Sequence, residues 1–156
     1  MRILYFLSEN LNKTGGGIVH FMSVARGLEK LGHNVTIMGP QYYTTIPRFR
    51  GLKTAFIPLP GRSMLTFLLY HFLAALLMPF AVLIFRPQAI LIRGGAGIEF
   101  LFMWIARMFK VRVVLEVNGV PWDEQASRGF PAAFVRFSRF LGTLAVRAAH
   151  RIISVT

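Results

Sequence analysis

The chain contains no cysteine. A disulfide framework and a thiolate metal site are therefore both ruled out. Acidic residues are scarce, six Asp and Glu against 18 Lys and Arg in 156 residues, and the four histidines are scattered. No H-x-x-x-H or comparable ligand spacing occurs, so neither a metal site nor a cofactor is expected. An acid is also missing where a dinucleotide-binding domain needs one. The second strand-like run ends in Met38-Gly39-Pro40, and the first glycine loop reads Gly15-Gly16-Gly17-Ile18 rather than G-x-G-x-x-G. Without a carboxylate for the ribose hydroxyl, a nicotinamide oxidoreductase is not expected. A cleavable leader is not visible either, because Met1-Arg2 runs straight into a short apolar stretch. The expected location is cytoplasmic.

What is present is apolar and basic. Hydrophobic residues make up 54% of the chain, and the formal net charge is +12. Such a charge calls for an anionic partner. Nucleic-acid modules carry their basic stripe on a polar surface, whereas this charge sits in a chain rich in Phe, Leu, Met and Ile. An anionic membrane surface is the expected partner, and nucleic acid is not. The length fits one domain with a sizeable core, here spanning 1–156.

Periodicity alternates along the chain. Strands are predicted at Ile3–Leu7, Asn34–Met38, Thr54–Pro58, Ala89–Arg93, Arg112–Val117 and Arg151–Val155. Helices are predicted at Ile18–Leu31, Ser63–Phe85, Ile98–Phe109 and Phe130–Ala149, the first with Val19, Met22, Ala25 and Leu28 on one stripe. This order is that of an α/β, Rossmann-like, doubly wound parallel sheet. Ligands of such sheets bind at the carboxyl ends of the strands. Glycine loops collect there: Gly15–Gly17 after the first strand, Arg93-Gly94-Gly95 after the fourth, and Asn118-Gly119 after the fifth.

Candidate site residues follow from that edge. Arg93 is a cation suited to a phosphate or an acidic sugar, or else pairs with a carboxylate. Asn118 both donates and accepts, which suits a sugar hydroxyl, though Asn-Gly also marks a plain turn. His20 lies in the first turn of the first helix, to contact a ligand or simply to pack. Asp123 and Glu124 offer a base for a ligand hydroxyl, or are a solvated loop. His33 and His150 precede strands and read as structural.

Residues 64–85 carry no charge and reach the roughly 20-residue length of a membrane span. Three readings stand: a helix covering the sheet, a span, or an interfacial element flanked by Arg48, Arg50, Lys53 and Arg62. A span would separate the third strand from the fourth, and Pro79 and His71 argue against it. Peripheral contact on the inner membrane face is the expectation. The last helix adds Arg136, Arg139 and Arg147 among Phe134, Phe137, Phe140 and Leu141.

The segments MRILYFLSENLNKTGGGIVHFMSVARGLEKLGHNVTIMGP, FRPQAILIRGG, VVLEVNGVPWDE and AAHRIISVT resemble the N-terminal half of family 4 glycosyltransferases, which have the GT-B fold. The resemblance rests on their order and spacing over essentially the whole chain. It implies an acceptor-side domain, with the nucleotide-sugar donor held mainly by a C-terminal domain not contained in these residues. It also implies that Gly15, Gly16 and Gly17 lie near the donor's phosphates. Asn118, Glu116, Arg93 and His20 would face the acceptor, a glycan or lipid-linked sugar. Catalytic residues are not assigned, and the half-enzyme is expected to be inactive alone. A non-catalytic membrane-associated subunit that recruits a donor-binding chain is the alternative. Glu116 and Glu124 match the spacing of the family's acidic signature, but that signature belongs to the C-terminal domain, and the match is read as coincidence.

Overall fold

A computed structural model describes residues 1–8, 15–42, 51–61, 63–94 and 98–154. Gly95, Pro47, Arg48, Arg50, Arg62 and Val155 lie outside them. Six strands form one parallel sheet in the order β3-β2-β1-β4-β5-β6. They are β1 (Arg2–Leu7), β2 (Asn34–Tyr42), β3 (Lys53–Leu59), β4 (Ala89–Gly94), β5 (Arg112–Val117) and β6 (Arg151–Ser154). The helices are α1 (Gly16–Lys30), α2 (Met64–Phe85), α3 (Phe100–Met108), α4 (Pro121–Ser127) and α5 (Ala132–Ala148). The strand order reverses between β1 and β4, which opens a crevice at their carboxyl ends.

Two cores flank the sheet. Leu4, Phe6, Ile90, Ile92, Val113 and Leu115 point to the face covered by α2, α3 and α5. Ile3, Tyr5, Leu7 and Leu91 point to the face covered by α1. This alternation is the period-two rule of a strand applied to a sheet buried on both sides. The buried stripe of α1 is Ile18, Phe21, Met22 and Ala25, with Leu28 packed against it. The predicted stripe is therefore one position off at its start, since Val19 is 62% exposed. Ile18, Phe21, Met22 and Ala25 complete the i, i+3, i+4, i+7 set that a helix lays on a flat sheet.

Two further elements differ from prediction. β2 runs through Gly39 and Pro40 to Tyr42, because β3 pairs with it over that whole length. No acid follows β2 before Lys53. Pro58 is tolerated in β3 because that strand lies at the sheet edge. The segment expected to be a loop around Asp123 and Glu124 is helix α4. Pro121 occupies its start and both acids lie in its first turn, where the helix dipole favours them.

Helix α2 is apolar all round. Ser63 and Thr66 form a reciprocal capping box at its start. Arg86 ends it in the left-handed region, followed by Pro87. Tyr70, His71, Ala74, Met78, Ala81 and Val82 are buried against the sheet. The opposite face leaves Leu65, Phe72, Leu76, Phe80, Leu83 and Ile84 more than half exposed. Leu65–Phe85 is long and apolar enough to cross a membrane. Yet β3 before it and β4 after it belong to one sheet, and its inner face belongs to the core. The inner face of the helix is a layer of the fold.

Helix α5 also departs from the usual pattern. Its buried stripe consists of small residues, Ser138, Gly142, Ala145 and Ala148. A Cβ on Gly142 would stand 2.1 Å from the Trp122 ring, so only glycine lets the indole of α4 lie on α5. Phe134, Phe137 and Phe140 face outward beside exposed Arg136, Arg139 and Arg147.

Candidate functional site

The parallel register of β4 and β5 places Arg93 directly beside Glu116. Both side chains leave the sheet on the α1 face, near the carboxyl ends of their strands. Arg93 Nη1 donates to Glu116 Oε1 over 2.6 Å, with both residues buried. The same oxygen lies 3.1 Å from His20 Nε2 and accepts from Asn118 Nδ2 at 3.3 Å. The other oxygen, Oε2, accepts from the Tyr5 hydroxyl at 2.7 Å. Side chains from β1, α1, β4 and the end of β5 thus meet on one carboxylate at the crevice of the sheet.

The electrostatics follow from burial. Charge-assisted hydrogen bonds of this length are the strong class, and they offset the desolvation of a buried ion pair. Burial and the adjacent carboxylate hold the Tyr5 phenol protonated, far above its ordinary range. His20, with its side chain 36% exposed, and the exposed Asn118 differ from the buried Tyr5, Arg93 and Glu116. They are the cluster's opening to solvent. With Nε2 directed at Glu116, Nδ1 is the nitrogen left for a ligand.

All four predicted acceptor-side residues, Arg93, Glu116, Asn118 and His20, are brought together. Of the two readings of Arg93, the paired one is what the structure contains. Tyr5 was missed, since an aromatic inside an apolar strand reads as core. Asp123 and Glu124 are not part of the cluster; Glu124 is exposed and pairs with Arg128 on its own helix. His33 Nδ1 lies 3.4 Å from the terminal amine, and His150 Nδ1 accepts from the Val113 N–H, as structural histidines would.

Gly15–Gly17 begin α1 beside this cluster. Gly15 caps the helix without a side chain, and the first turn carries no acid. A Cβ at Gly15 or Gly16 would meet nothing among the described residues within 4 Å. Neither glycine has a positive φ. Packing does not demand glycine here, which leaves the first N–H groups open to close approach. A groove of about 490 Å³ runs from these glycines along Val19, Met22, Ser23 and Arg26. Among the described residues no group of His, Asp and Glu is arranged to hold a metal ion.

A second buried polar pair lies on the opposite face of the sheet. Glu99, just before α3, and His71, on α2, are each 1% exposed, with Oε1 and Nε2 separated by 3.9 Å. His71 Nδ1 donates to the Phe67 carbonyl at 2.8 Å. Burial pushes the Glu99 carboxyl up, but His71 and the Ser8 hydroxyl outweigh it and hold it below its ordinary value of 4.5. A depressed carboxyl pKa adds stability above the unfolded value and loses it as pH falls through the folded one. The stability gap between the native chain and Glu99→Gln should therefore be full at neutral pH and shrink below about pH 4.5. Denaturant melts at pH 3 and pH 7 measure it; a gap independent of pH would contradict this linkage.

Residues 15–156 match the glycosyl transferase 4-like domain. The chain belongs to that family. No curated protein sequence matches it. Among solved structures it is similar to the UDP-GlcNAc 2-epimerase of Methanocaldococcus jannaschii, at 13% identity and a TM-score of 0.66, covering 100% of this chain and 40% of that one. It is similar to Arabidopsis thaliana UGT89C1 complexed with UDP, at 12% identity and a TM-score of 0.59, covering 99% and 42%. The UDP-GlcNAc 2-epimerase of Neisseria meningitidis bound to UDP-GlcNAc matches at 16% identity and a TM-score of 0.61, covering 99% and 40%. The domain spans about two fifths of these structures and has the Rossmann-like fold of the N-terminal half of GT-B proteins.

Proposed function

We propose that this domain is the acceptor-binding half of a glycosyltransferase. It would transfer a sugar from a nucleotide-sugar donor to a glycan or lipid-linked acceptor at the cytoplasmic face of the membrane. The observation that carries the reading is the Glu116 cluster, four polar side chains on one carboxylate at the ligand edge of the sheet. Its charge is already balanced by Arg93, so Glu116 positions its neighbours and does not act as the base. His20 Nδ1 and the Asn118 amide are left to take acceptor hydroxyls. The open N-terminus of α1 lies close by, where a donor diphosphate is stabilised by N–H groups and the helix dipole. UDP and UDP-GlcNAc in the similar structures support a nucleotide-sugar as donor. The donor itself would be held mainly by a second domain, so these 156 residues would show no turnover alone.

The membrane placement is supported by the outer surface of the helical layer. α3 packs between α2 and α5, and it exposes Leu101, Trp104 and Met108. The outward residues of α2 and α5 and the exposed Arg107, Lys110, Arg136 and Arg139 belong to the same helical layer. The acids Glu99 and Glu116 are buried; among the described residues only Glu29, Asp123 and Glu124 are exposed or half-buried. Apolar side chains with an interfacial tryptophan and snorkelling cations suit an anionic bilayer.

Membranes from cells producing the protein, supplied with a panel of radiolabelled nucleotide-sugars, test the enzymatic reading. His20→Ala should lower transfer roughly 100-fold, the scale of a lost general base. Asn118→Ala should lower it about tenfold, the scale of one hydrogen bond. Undiminished transfer in both variants, or transfer by the 156-residue chain alone, would overturn the proposal.

A further inference from the structure

The carboxyl ends of the strands carry the Glu116 cluster, and the amino ends carry positive charge. Among the described residues four of the six strands, β1, β3, β5 and β6, begin on a cation, namely Arg2, Lys53, Arg112 and Arg151. Arg86 and Lys110 sit in the turns that lead into β4 and β5. Glu29 is the one described acid at this end, in the last turn of α1 and so on the other face of the sheet. On the α2 face a cleft of about 250 Å³ opens between the strand starts and the C-terminal end of α2. The period of two places Arg2, Asn34, Thr36 and Lys53 on that face together with Leu4. Arg2 stands opposite Asn34, and Thr36 opposite Lys53. Ile84 and Phe85 of α2 supply the apolar wall.

The two cations of the cleft are exposed, and among the described residues neither pairs with a carboxylate. Arg2 Nε donates to the Arg86 carbonyl at 2.7 Å, and the Arg2 N–H donates to Gln88 Oε1 at 3.0 Å. These bonds fix the guanidinium and turn its two terminal nitrogens to an outside acceptor. Arg2 and Lys53 are two strands and two register positions apart, roughly 12 Å between Cα atoms. Two long side chains at that spacing close on one group between them, and Asn34 and Thr36 face it from the middle strand. A guanidinium fork, an ammonium, an amide and a hydroxyl are the donors a phosphate takes. Two observations choose its source. The cleft lies roughly 16 Å along β1 from the Glu116 cluster, so a donor diphosphate at the start of α1 does not occupy it. Beside it Leu83, Ile84 and Met1 are 59%, 72% and 51% exposed, an apolar strip suited to an acyl chain. We propose that the cleft binds the phosphate of an anionic glycerophospholipid between Arg2 and Lys53, with the acyl chains along the outer face of α2. The inference rests on the membrane reading above and gives it a headgroup site.

Titration with sn-glycerol 3-phosphate reads the cleft without a membrane. In the native chain it should shift the Arg2 Nε–H resonance saturably. Lys53→Met keeps the apolar stem and removes the charge, so it should weaken binding about tenfold. Arg139→Met makes the same change of charge on the exposed side of α5 and should leave binding unchanged. Asn34 is exposed, so Asn34→Phe fills the cleft at constant charge, and binding should disappear while the thermal melt is kept. Absence of a saturable shift, equal weakening by Lys53→Met and Arg139→Met, or undiminished binding in Asn34→Phe would overturn the proposal. Vesicle flotation then separates a lipid from a soluble phosphate ester. The native chain should prefer phosphatidylglycerol to phosphatidylcholine vesicles, and Asn34→Phe should lose about tenfold in phosphatidylglycerol binding with phosphatidylcholine binding unchanged. Phosphatidylglycerol binding that survives Asn34→Phe, in a protein whose native form takes glycerol 3-phosphate, would overturn the lipid assignment. Glycerol 3-phosphate binding by a native chain that ignores vesicles would count against the membrane reading, and vesicle binding without the Arg2 shift would count against the cleft alone.

Discussion

Glu116→Gln should lower the stability of the domain by about 3–5 kcal/mol, because it leaves the Arg93 guanidinium buried without its counter-ion. For a chain of this size that is a fall of roughly 6–20 °C in Tm. The side chain keeps its shape; with the amide oxygen in the Oε1 place it still accepts from Arg93 and Asn118, and the NH2 donates to a Tyr5 hydroxyl that turns to accept, so the main loss is the charge. The double variant Glu116→Gln/Arg93→Met should recover most of it, since no charge is then stranded. Thermal melts of the four proteins in the cycle measure both numbers. If Glu116→Gln melts with the native chain, Arg93 and Glu116 are not the buried pair the structure contains. If the double variant is no better than the single, the cost lies in shape or hydrogen bonding. Loss of ligand binding alongside recovered stability in the double variant would separate the structural role of the pair from its service to the site.

The second large effect concerns the outer face of α2. Phe72 and Leu76 are 64% and 56% exposed and follow one another at i, i+4. Phe72→Glu/Leu76→Glu should reduce binding to phosphatidylglycerol vesicles by about 2–4 kcal/mol, roughly 30-fold to several hundredfold. Both positions are outside the core, so the thermal melt should barely move. Raising salt from 50 to 500 mM should weaken the native chain's binding only in part, because apolar insertion is unscreened and only the arginine and lysine contribution is lost. Co-sedimentation reads both effects. Vesicle binding that survives the double substitution, or that vanishes entirely with salt, would exclude insertion through this face.

The contrast between α2 and α5 explains what could be read in advance. Alternation of strand and helix is a local property, recorded in periods of two and 3.6 residues. Among the described residues it located every strand and four of the five helices. The fifth, α4, carries too short an apolar pattern to announce itself, and its signal was Pro121 followed by two acids. Helix α5 was visible as a helix, but its orientation was not. A tryptophan seated on Gly142 made its small residues the buried stripe and turned its phenylalanines outward.

The candidate site divides the same way. That Arg93, Asn118 and the triple glycine lie at one edge follows from parallel strand topology alone, and so was legible. That Arg93, His20, Asn118 and Tyr5 share one carboxylate was not. Tyr5 and Glu116 are 111 residues apart, and their meeting depends on register across β1, β4 and β5. The pairing of His71 with Glu99 is likewise a product of helix packing, and in sequence His71 is only a blemish in an apolar run.

By itself, the sequence determined the alternating α/β order, the basic and apolar character, and the strand ends where ligand chemistry collects. These are encoded residue by residue in hydrophobic period, glycine placement and charge. Only the tertiary structure decided which polar groups are spent on one another and which stay open. His20 and Asn118 face the crevice and Glu116 is enclosed; among the described residues Glu99 keeps one unpaired oxygen and the outer face of α2 is left without a partner. Those outcomes depend on the register of distant strands and on the packing of helices against a shared sheet, and no local period records either.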